Sequence, residues 1–513
     1  MNNTNRNGMH RKKFKDPTPH GSGISSAFHR VERSTASAGR PNRNRREIGP
    51  ILMAAVDGSR KEKSWIADVE ELLRQDGSVD PLVEAARWRK HSIYRVPAHV
   101  KNSRYVSPYE PQLVSLGPFN HGSSELVPME EHKQRALLHL VRRTGRPVRE
   151  LVAALEEVVE RLEDAYMELD GKWRSDTDEF LRVMVMDGCF LLEVMRTAAE
   201  DGETGGDYAP SDPVFSRHGE LYMFPYVRRD MLMMENQLPL LVLQRLVAVV
   251  SGPDAATADA INNMVLKFLS LMPDPPAMCD GSLALHPIDA CHRSLLHGQP
   301  REMWKGRKDE FVPSATELDQ AGIQLTRSAT RSLHDISFLR GVLRIPELTV
   351  DDYTEHKLFS LMAFERLHAG AGANEVTAYV FFMDTIIRST ADAQLVCSRG
   401  IIWNGLGSDK EVAKMFNRLA NKAVLDKRSP LRAVHGQVNT YCEKRWNRWR
   451  ASLIQNYAGN PWAVVSLVAA VFLLVLTVVQ TVYTVLPYYQ QQQLHTGWTN
   501  STTTAPLLRH HEL

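Results

Sequence analysis

Four carboxylates stand where charge is expensive. Asp187 and Glu193 lie in the apolar stretch 180–195, and Asp230 and Glu235 lie in the apolar stretch 226–250. Paired acids beside an imidazole could carry general acid–base chemistry, with His121 or His132 as the histidine. The same residues arranged differently make a salt-bridged core, with Arg95, Arg182 and Arg196 as counter-charges. His121, within Asn120-His121-Gly122, also reads as a turn residue. Cys279, His286, Cys291 and His292 offer metal-ligating atoms, but their spacing fits no common zinc pattern. There is no GxxxxGKS/T, no GxSxG, no HExxH and no kinase signature set. Gly405-Leu406-Gly407 lacks the third glycine and the strand–helix setting of a dinucleotide loop. The residues assign no catalytic, cofactor-binding or metal-binding position, so the expectation is a protein without enzymatic activity and without a cofactor.

The elements that would position these groups are mostly helical. The chain has 513 residues, 43% hydrophobic and 24% charged. Those shares are ordinary for globular proteins and exclude wholesale disorder, collagen and a polytopic membrane protein. Five cysteines without a CxxC pair make no disulfide framework at this length, which suits a reduced, cytosol-facing body. From residue 64 the apolar positions fall at helical spacing, beginning with Trp65, Ile66, Val69, Leu72 and Leu73. Asp80-Pro81 reads as a cap followed by proline at the first helical position. Prolines 97, 108, 111 and 118 exclude a helix between residues 93 and 122, and Pro128 opens the next one. The stripe from Val148 to Leu169 predicts one amphipathic helix over 147–170. The stretches 180–195 and 226–250 are apolar on nearly every face and predict two buried helices, the second kinked at Pro239. Residues 200–220 and 273–313 read as loops. Residues 338–346 alternate like a short strand pair, and 353–367, 376–388 and 410–423 return to helical spacing. The fold class is therefore mainly α: one large helical domain over 61–450 with minor β, and no internal repeat.

The net charge of +2 is the sum of unlike parts, because residues 1–50 hold eleven Lys/Arg against three Asp/Glu. Runs such as Arg11-Lys12-Lys13-Phe14-Lys15 stand among Ser, Asn, Gly and Pro, without the apolar core of a signal peptide. Residues 1–60 thus read as a basic disordered extension. Such an arm could contact nucleic acid, carry a nuclear-import patch, rest on an acidic membrane or act as a transit peptide, and translation from Met53 would remove it. Nucleic acid is not the expected partner.

The strongest single feature is the run from Trp462 to Leu486, 25 residues without a charge and with Gln480 as its one strongly polar side chain. At 1.5 Å per residue it spans roughly 37 Å, enough for a tilted transmembrane helix. Trp462 at one end and Tyr483, Tyr488 and Tyr489 at the other resemble interfacial belts. Lys444, Arg445, Arg448 and Arg450 precede the span while Arg509 alone follows, so the positive-inside tendency puts the large body in the cytosol. Residues 451–461 are then the end of a basic juxtamembrane segment, 462–486 the span through a lipid bilayer, and 487–513 a short polar tail. This tail-anchored reading suits the plasma membrane or the endoplasmic reticulum. Asn500-Ser501-Thr502 is a glycosylation sequon, and His510-His511-Glu512-Leu513 resembles a retrieval signal with His in place of Asp. Ser466 and Ala470 form a small-xxx-small pair that could support a homo-oligomer.

Several ordered motifs carry a family resemblance. They are Ile93-Tyr94-Arg95-Val96-Pro97, Val114-Ser115-Leu116-Gly117-Pro118-Phe119-Asn120-His121-Gly122, Met129-Glu130-Glu131-His132-Lys133, Asp187-Gly188-Cys189-Phe190-Leu191-Leu192-Glu193 and Glu235-Asn236-Gln237-Leu238-Pro239. Gly341-Val342-Leu343-Arg344-Ile345-Pro346 and Asn460-Pro461-Trp462 continue the series. Together they resemble the plant domain-of-unknown-function 247 family, also catalogued as uncharacterised protein family 0481, over about residues 93 to 485. His286-Pro287-Ile288-Asp289 departs from the leucine-rich helix start usual there. The resemblance implies a plant membrane protein with a helical cytosolic region and one C-terminal anchor, and it implies no accepted enzyme activity. Some members are associated with pollen-side recognition in grass self-incompatibility, which favours interaction with an unknown cytosolic protein over chemistry. Gly117-Pro118 as a turn and Gly188 as close helix packing read as fold determinants.

Overall fold

The computed structural model describes residues 64–74, 80–101, 109–200, 206–270, 281–298, 312–368, 374–421, 423, 429, 431–445, 447 and 461–499. The basic extension 1–60, residues 451–460, Cys279, Asn500 and the C-terminal His-His-Glu-Leu lie outside the described residues. The chain divides into two units, residues 1–71 and 72–513. The described part of the first is the opening of helix α1 (Ser64–Arg74), where Trp65 and Val69 are exposed. The second unit is mainly helical, as the spacing predicts, and holds two hydrophobic cores.

The first core is built by residues from Ile93 to Ala290. Helix α2 (Pro81–Lys90) starts where Asp80-Pro81 predicts, with the Asp80 carboxylate accepting the Leu82 amide at 2.8 Å. A short α3 (Ala98–Lys101) follows. Pro128 opens α4 (Pro128–Thr144), and Gly145 closes it in the left-handed region. Next come α5 (Val148–Glu156), α6 (Val159–Asp164) and α7 (Gly171–Ser175). The central element is α8 (Thr177–Ala199), buried along most of its length against α4, α5 and α7. The core is completed by α9 (Arg217–Tyr222), α10 (Phe224–Met231), α11 (Leu240–Ser251), α12 (Ala258–Ser270) and α13 (Pro287–Leu295). A Cβ on Gly188 of α8 would lie 2.5 Å from Leu246 Cδ1 and 2.8 Å from Val242 Cγ1 of α11. Gly188 therefore sets the α8–α11 spacing.

Three expectations are corrected. The amphipathic stripe over 147–170 is not one helix. It breaks at Glu157-Val158, and the chain leaves helical geometry after Asp164. There the Ala165 carbonyl accepts the Ser92 and Ile93 amides at 2.9 Å each, and the Met167 amide donates to the Ile93 carbonyl at 2.9 Å. Pairing with a remote segment outweighs one more helical turn. The stretch 226–250 is likewise two helices, α10 and α11, separated by the connector 232–239, and Pro239 precedes α11 in an extended conformation instead of kinking a continuous helix. Within 273–313, residues 287–295 form α13 and not loop, because the His286 ring Nδ1 accepts the Asp289 amide at 3.3 Å and caps the helix start.

The second core gathers residues from Ile288 to Val438, joined by Tyr94, Val96, Tyr109, Leu232 and Met234. Its helices are α14 (Ala315–Gln320), α15 (Thr354–Leu367), α16 (Glu375–Ile386), α17 (Thr390–Ser398), α18 (Asp409–Ala420) and α19 (Leu431–Cys442). The expected strand pair is present as β2 (Ser337–Leu339) antiparallel to β3 (Val342–Ile345), turned by Arg340 and Gly341 at φ +50° and +85°. β1 (Gln324–Arg327) adds to β3 in parallel, and β4 (Leu348–Val350) pairs with β5 (Ile402–Asn404).

Helix α20 (Pro461–Thr499) carries one segment, Val468–Pro487, long and apolar enough to cross a bilayer. Trp462, Gln480 and Leu486 are all exposed on it. The helix runs through Pro487 to Thr499, so the expected polar tail begins as helix.

The α8–α11 contact makes a prediction. Gly188→Ala should destabilise the full-length protein by about 1–3 kcal/mol in denaturant melts. Combined with Leu246→Ala, the loss should be at least ~1 kcal/mol smaller than the sum of the two single changes, since both act on one contact.

Candidate functional site

The family motifs converge on one buried polar spine. Among the described residues the segment 112–120 has no strand partner, and side chains satisfy its backbone groups. Asp230, at the end of α10 and wholly buried, accepts the amides of Gln112 (3.1 Å), Leu113 (2.7 Å) and Val114 (3.0 Å). Asn236 then pairs with the segment as a neighbouring strand would: Oδ1 accepts the Leu116 amide at 2.9 Å while Nδ2 donates to the Val114 carbonyl at 3.0 Å. Gln237 folds its own connector, donating from Nε2 to the carbonyls of Met231 (2.6 Å) and Met233 (2.8 Å), and accepting the Ile288 amide at 3.1 Å. These capture bonds are the reason 232–239 is not helical. Glu235 accepts the Val96 amide at 2.6 Å, one residue before the half-buried Pro97, and Lys101 Nζ at 2.7 Å.

Gly117 is required twice over. Its φ of +70° is left-handed, and a Cβ there would lie 2.6 Å from the Tyr166 hydroxyl oxygen and 2.7 Å from the Gln237 carbonyl oxygen. That hydroxyl donates to the same carbonyl at 3.0 Å, and Pro118 beside it is buried. The Gly117 amide donates to Asp187 Oδ2 at 2.7 Å, which ties the segment to α8. Lys133 of α4 completes the junction with its Nζ 2.6 Å from Asp187 Oδ1, 2.7 Å from Glu130 Oε1 and 2.9 Å from Ser115 Oγ.

A serine beside a lysine suggests an activated nucleophile, but this pair is arranged otherwise. A base must be a neutral amine, whereas Lys133 lies between two carboxylates, and Ser115 directs its proton to Glu130 at 3.0 Å. Lys133, Ser115 and Asp187 are each at most 1% exposed. Burial drives the Asp187 carboxyl above its ordinary pKa, with Lys133 and the Gly117 amide pulling back. Asp230 is also raised by burial, against the pull of its three amides.

The remaining candidates are placed apart. Glu193, at the far end of the α8 motif, is held by Arg143, by Arg196 at 3.0 Å and by the Tyr208 hydroxyl at 3.0 Å. Burial would push its pKa up, but the two guanidinium groups bring it below the usual range. Arg196 is thus a counter-charge of Glu193, while Arg182 pairs with Glu179, and Arg95 stacks 4.3 Å above the Phe119 ring and lies 3.4 Å from Asp170. His121 stands edge-on to Trp173 and 3.8 Å from Glu179. The His132 ring meets Arg135 at 2.9 Å, and burial with that cation lowers its pKa. The structure therefore joins Lys133 to Asp187, joins Asp230, Glu235 and Asn236 to residues 96–120, and turns Gln237 onto its own connector and Ile288. It does not gather the acids around a histidine.

Sequence reasoning missed Ser115, Tyr166, Arg143 and Tyr208 as partners, since nothing local marks them. It also missed Glu365 of α15, which accepts the Val376 amide at 2.8 Å and sits 3.0 Å from His292 Nε2. His292 thus binds a carboxylate, and among the described residues no group of three or more His, Cys, Asp or Glu could hold a metal ion.

These features define a mainly helical protein with a buried polar spine in its first core and, among the described residues, one C-terminal helix long and apolar enough to cross a membrane. A profile of DUF247, a plant protein family of unknown function, matches residues 93–476, and the chain belongs to that family. The match covers both cores and reaches into α20. Two Arabidopsis thaliana proteins are similar along nearly their whole length. UPF0481 protein At3g47200 is 26% identical over 81% of this chain and 91% of its own. A second UPF0481 protein, At3g02645, is 23% identical over 84% and 96%. No solved structure matches.

Two measurements test the spine. Lys133→Met strands a buried carboxylate and should cost about 3–5 kcal/mol in urea melts. Adding Asp187→Asn should recover part of that loss, because the amide still accepts from Gly117 without a charge. His286 gives the pH test, as burial pushes its pKa down to about 4. An unfolded histidine takes up its proton near pH 6.5, so the unfolded state gains protons first as pH falls. Stability should be intact above pH ~6.5 and decline towards pH ~4, with His286 contributing about 3 kcal/mol of the decline. His286→Asn should flatten that limb in melts at pH 7 and pH 5.

Proposed function

We propose that this protein is a single-pass, membrane-anchored interaction module without catalytic activity, its helical body held at the cytosolic face of a plant membrane. The observation that carries the reading is the Val468–Pro487 segment of α20. Its large side chains are exposed, Phe472, Leu473 and Leu474 to more than 60%. Such a surface is unfavourable in water and suited to lipid. Basic residues 444, 445, 448 and 450 ahead of the span favour a cytosolic body. The saturation of Asp187, Glu193, Asp230 and Glu235 by lysine, arginine and backbone donors supports a structural role for them, and with it a binding function. An anchor confines the body to a surface and raises the effective concentration of cytosolic protein partners there. Homo-oligomers through the Ser466/Ala470 face fit the same reading.

Topology is the test. With the full-length chain inserted into microsomes and tagged at both ends, protease should digest the N-terminal tag and body and spare the C-terminal tag. Endoglycosidase should shift the mobility of the wild type and not of Asn500→Gln. A protected body, or extraction of the whole chain by alkaline carbonate, overturns the anchor as proposed.

A further inference from the structure

Arg229 of α10 is a buried cation with donors to spare. The residue is 6% exposed, and its Nε and Nη1 donate to no acceptor among the described residues. The neighbouring carboxylates do not answer it. Asp230 is taken up by the amides of residues 112–114, and Asp351 by the Tyr353 amide (3.1 Å), the Thr354 amide (2.9 Å) and the Thr354 hydroxyl (2.6 Å). Asp352 is exposed beside Tyr353. A guanidinium without an acceptor is costly to bury, and burial lowers the Arg229 pKa against the pull of Asp230. Its other neighbours are phenols. Tyr226 lies three residues earlier on the same helix, the Tyr226 and Tyr353 rings meet edge-on at 6.4 Å, and both bear on the Arg229 charge. Burial raises the Tyr353 pKa, so its hydroxyl keeps its proton and can donate. Tyr226 is 43% exposed, which brings the cluster to the surface. An apolar strip precedes it in the chain, with Tyr222 and Leu221 more than half exposed and the Tyr222 ring 4.8 Å from His218.

We propose that Arg229, Tyr226 and Tyr353 form the receptor for an aspartate or glutamate side chain of a partner polypeptide, whose apolar neighbours rest on Tyr222 and Leu221. A carboxylate matches a guanidinium in bidentate geometry, and phenol hydroxyls donate to the same oxygens. Charge selects it over a phosphate. One guanidinium offsets one negative charge, and Asp351 and Asp352 beside Tyr353 oppose a second. Tyrosine and arginine are also the residue types that dominate the energy of protein interfaces. Rotation of the exposed Tyr226 side chain opens the way to the guanidinium, a common change on binding. The inference rests on the reading of this protein as an interaction module and names the chemistry of its partner. It does not depend on the anchor.

The test uses the full-length protein in micelles of a neutral detergent, with end-blocked Ala-Leu-Glu-Leu-Ala and Ala-Leu-Gln-Leu-Ala as probes, and reads titration calorimetry and urea melts. The wild type should bind the glutamate peptide saturably and about tenfold more tightly than the glutamine peptide, the difference expected of one charge-assisted contact. The bound peptide should raise the urea midpoint. Arg229→Met should remove the preference for glutamate. It should also raise the midpoint of the free protein, because it relieves a buried charge that has no acceptor, whereas a purely structural Arg229 gives the opposite sign. Tyr226→Phe and Tyr353→Phe keep the rings and should each weaken the glutamate peptide about threefold, which keeps the proposal testable should Arg229→Met fail to fold. Asp352→Asn should tighten it. The proposal is overturned by no saturable binding at millimolar concentrations, by a preference that survives Arg229→Met, or by a lower midpoint for that variant. Tighter binding of the phosphoserine peptide, or acetate that competes as well as the glutamate peptide, overturns it too. None of these results bears on the topology of α20, which the microsome experiment decides separately.

Discussion

The extended segment 112–117 has no strand beside it among the described residues, and the fold of the first core follows from how its amides are satisfied. An unpaired buried amide costs free energy on the order of a lost hydrogen bond, so a run of them would be ruinous. The solution is a surrogate strand made of side chains: the Asp230 carboxylate for three amides, the Asn236 amide for an amide and a carbonyl, and the Asp187 carboxylate for Gly117. Each of these residues must sit at one place, which fixes α8, α10 and the connector 232–239 relative to the segment. Gly117 is the hinge of this arrangement because no Cβ fits between Tyr166 and Gln237.

The charges in the spine are better understood as specifying the arrangement than as a large net source of stability. Burying a lysine and a carboxylate together roughly cancels desolvation against attraction, whereas removing one partner leaves an uncompensated charge. Lys133 of α4 meets Asp187 of α8 and Ser115 of the extended segment at once, with Glu130 beside it on its own helix, so a shift of α4 would break its contacts to both α8 and the segment. Glu193, further along α8, does the same work with two arginines and a tyrosine. Charge thereby holds α8 at Asp187 and Glu193, and Gly188 sets its distance from α11.

The second core is assembled by comparable means on a smaller scale. Glu365 caps the start of α16 and reaches His292 of α13, so the carboxylate links helices from both halves of the body. Tyr94, Val96 and Tyr109 cross into this core from the segment whose neighbour Ile93 belongs to the first. The two cores therefore share a backbone stretch as well as the connector residues Leu232 and Met234. Helix α20 differs in kind, because its described side chains between 465 and 487 are exposed and its apolar surface is matched to a different solvent.

What the sequence determined by itself was local. Asp80-Pro81, Pro128 and Gly145 mark helix ends because caps act within a few residues, and the uninterrupted apolar run of α20 is legible from length alone. The Arg340-Gly341 turn belongs to the same class. The acids of the spine were visible as buried charges, and the spacing of the motifs marked them as a set. Their partners were not visible, and neither were the breaks in the helices expected over 147–170 and 226–250. Both depended on hydrogen bonds between residues some 70 to 120 positions apart, such as Ile93 to Ala165 and Val114 to Asn236. Periodicity describes what a stretch does when only its neighbours compete for its backbone. At Ala165 and at 232–239 remote groups compete and win, and only the tertiary structure decides that contest.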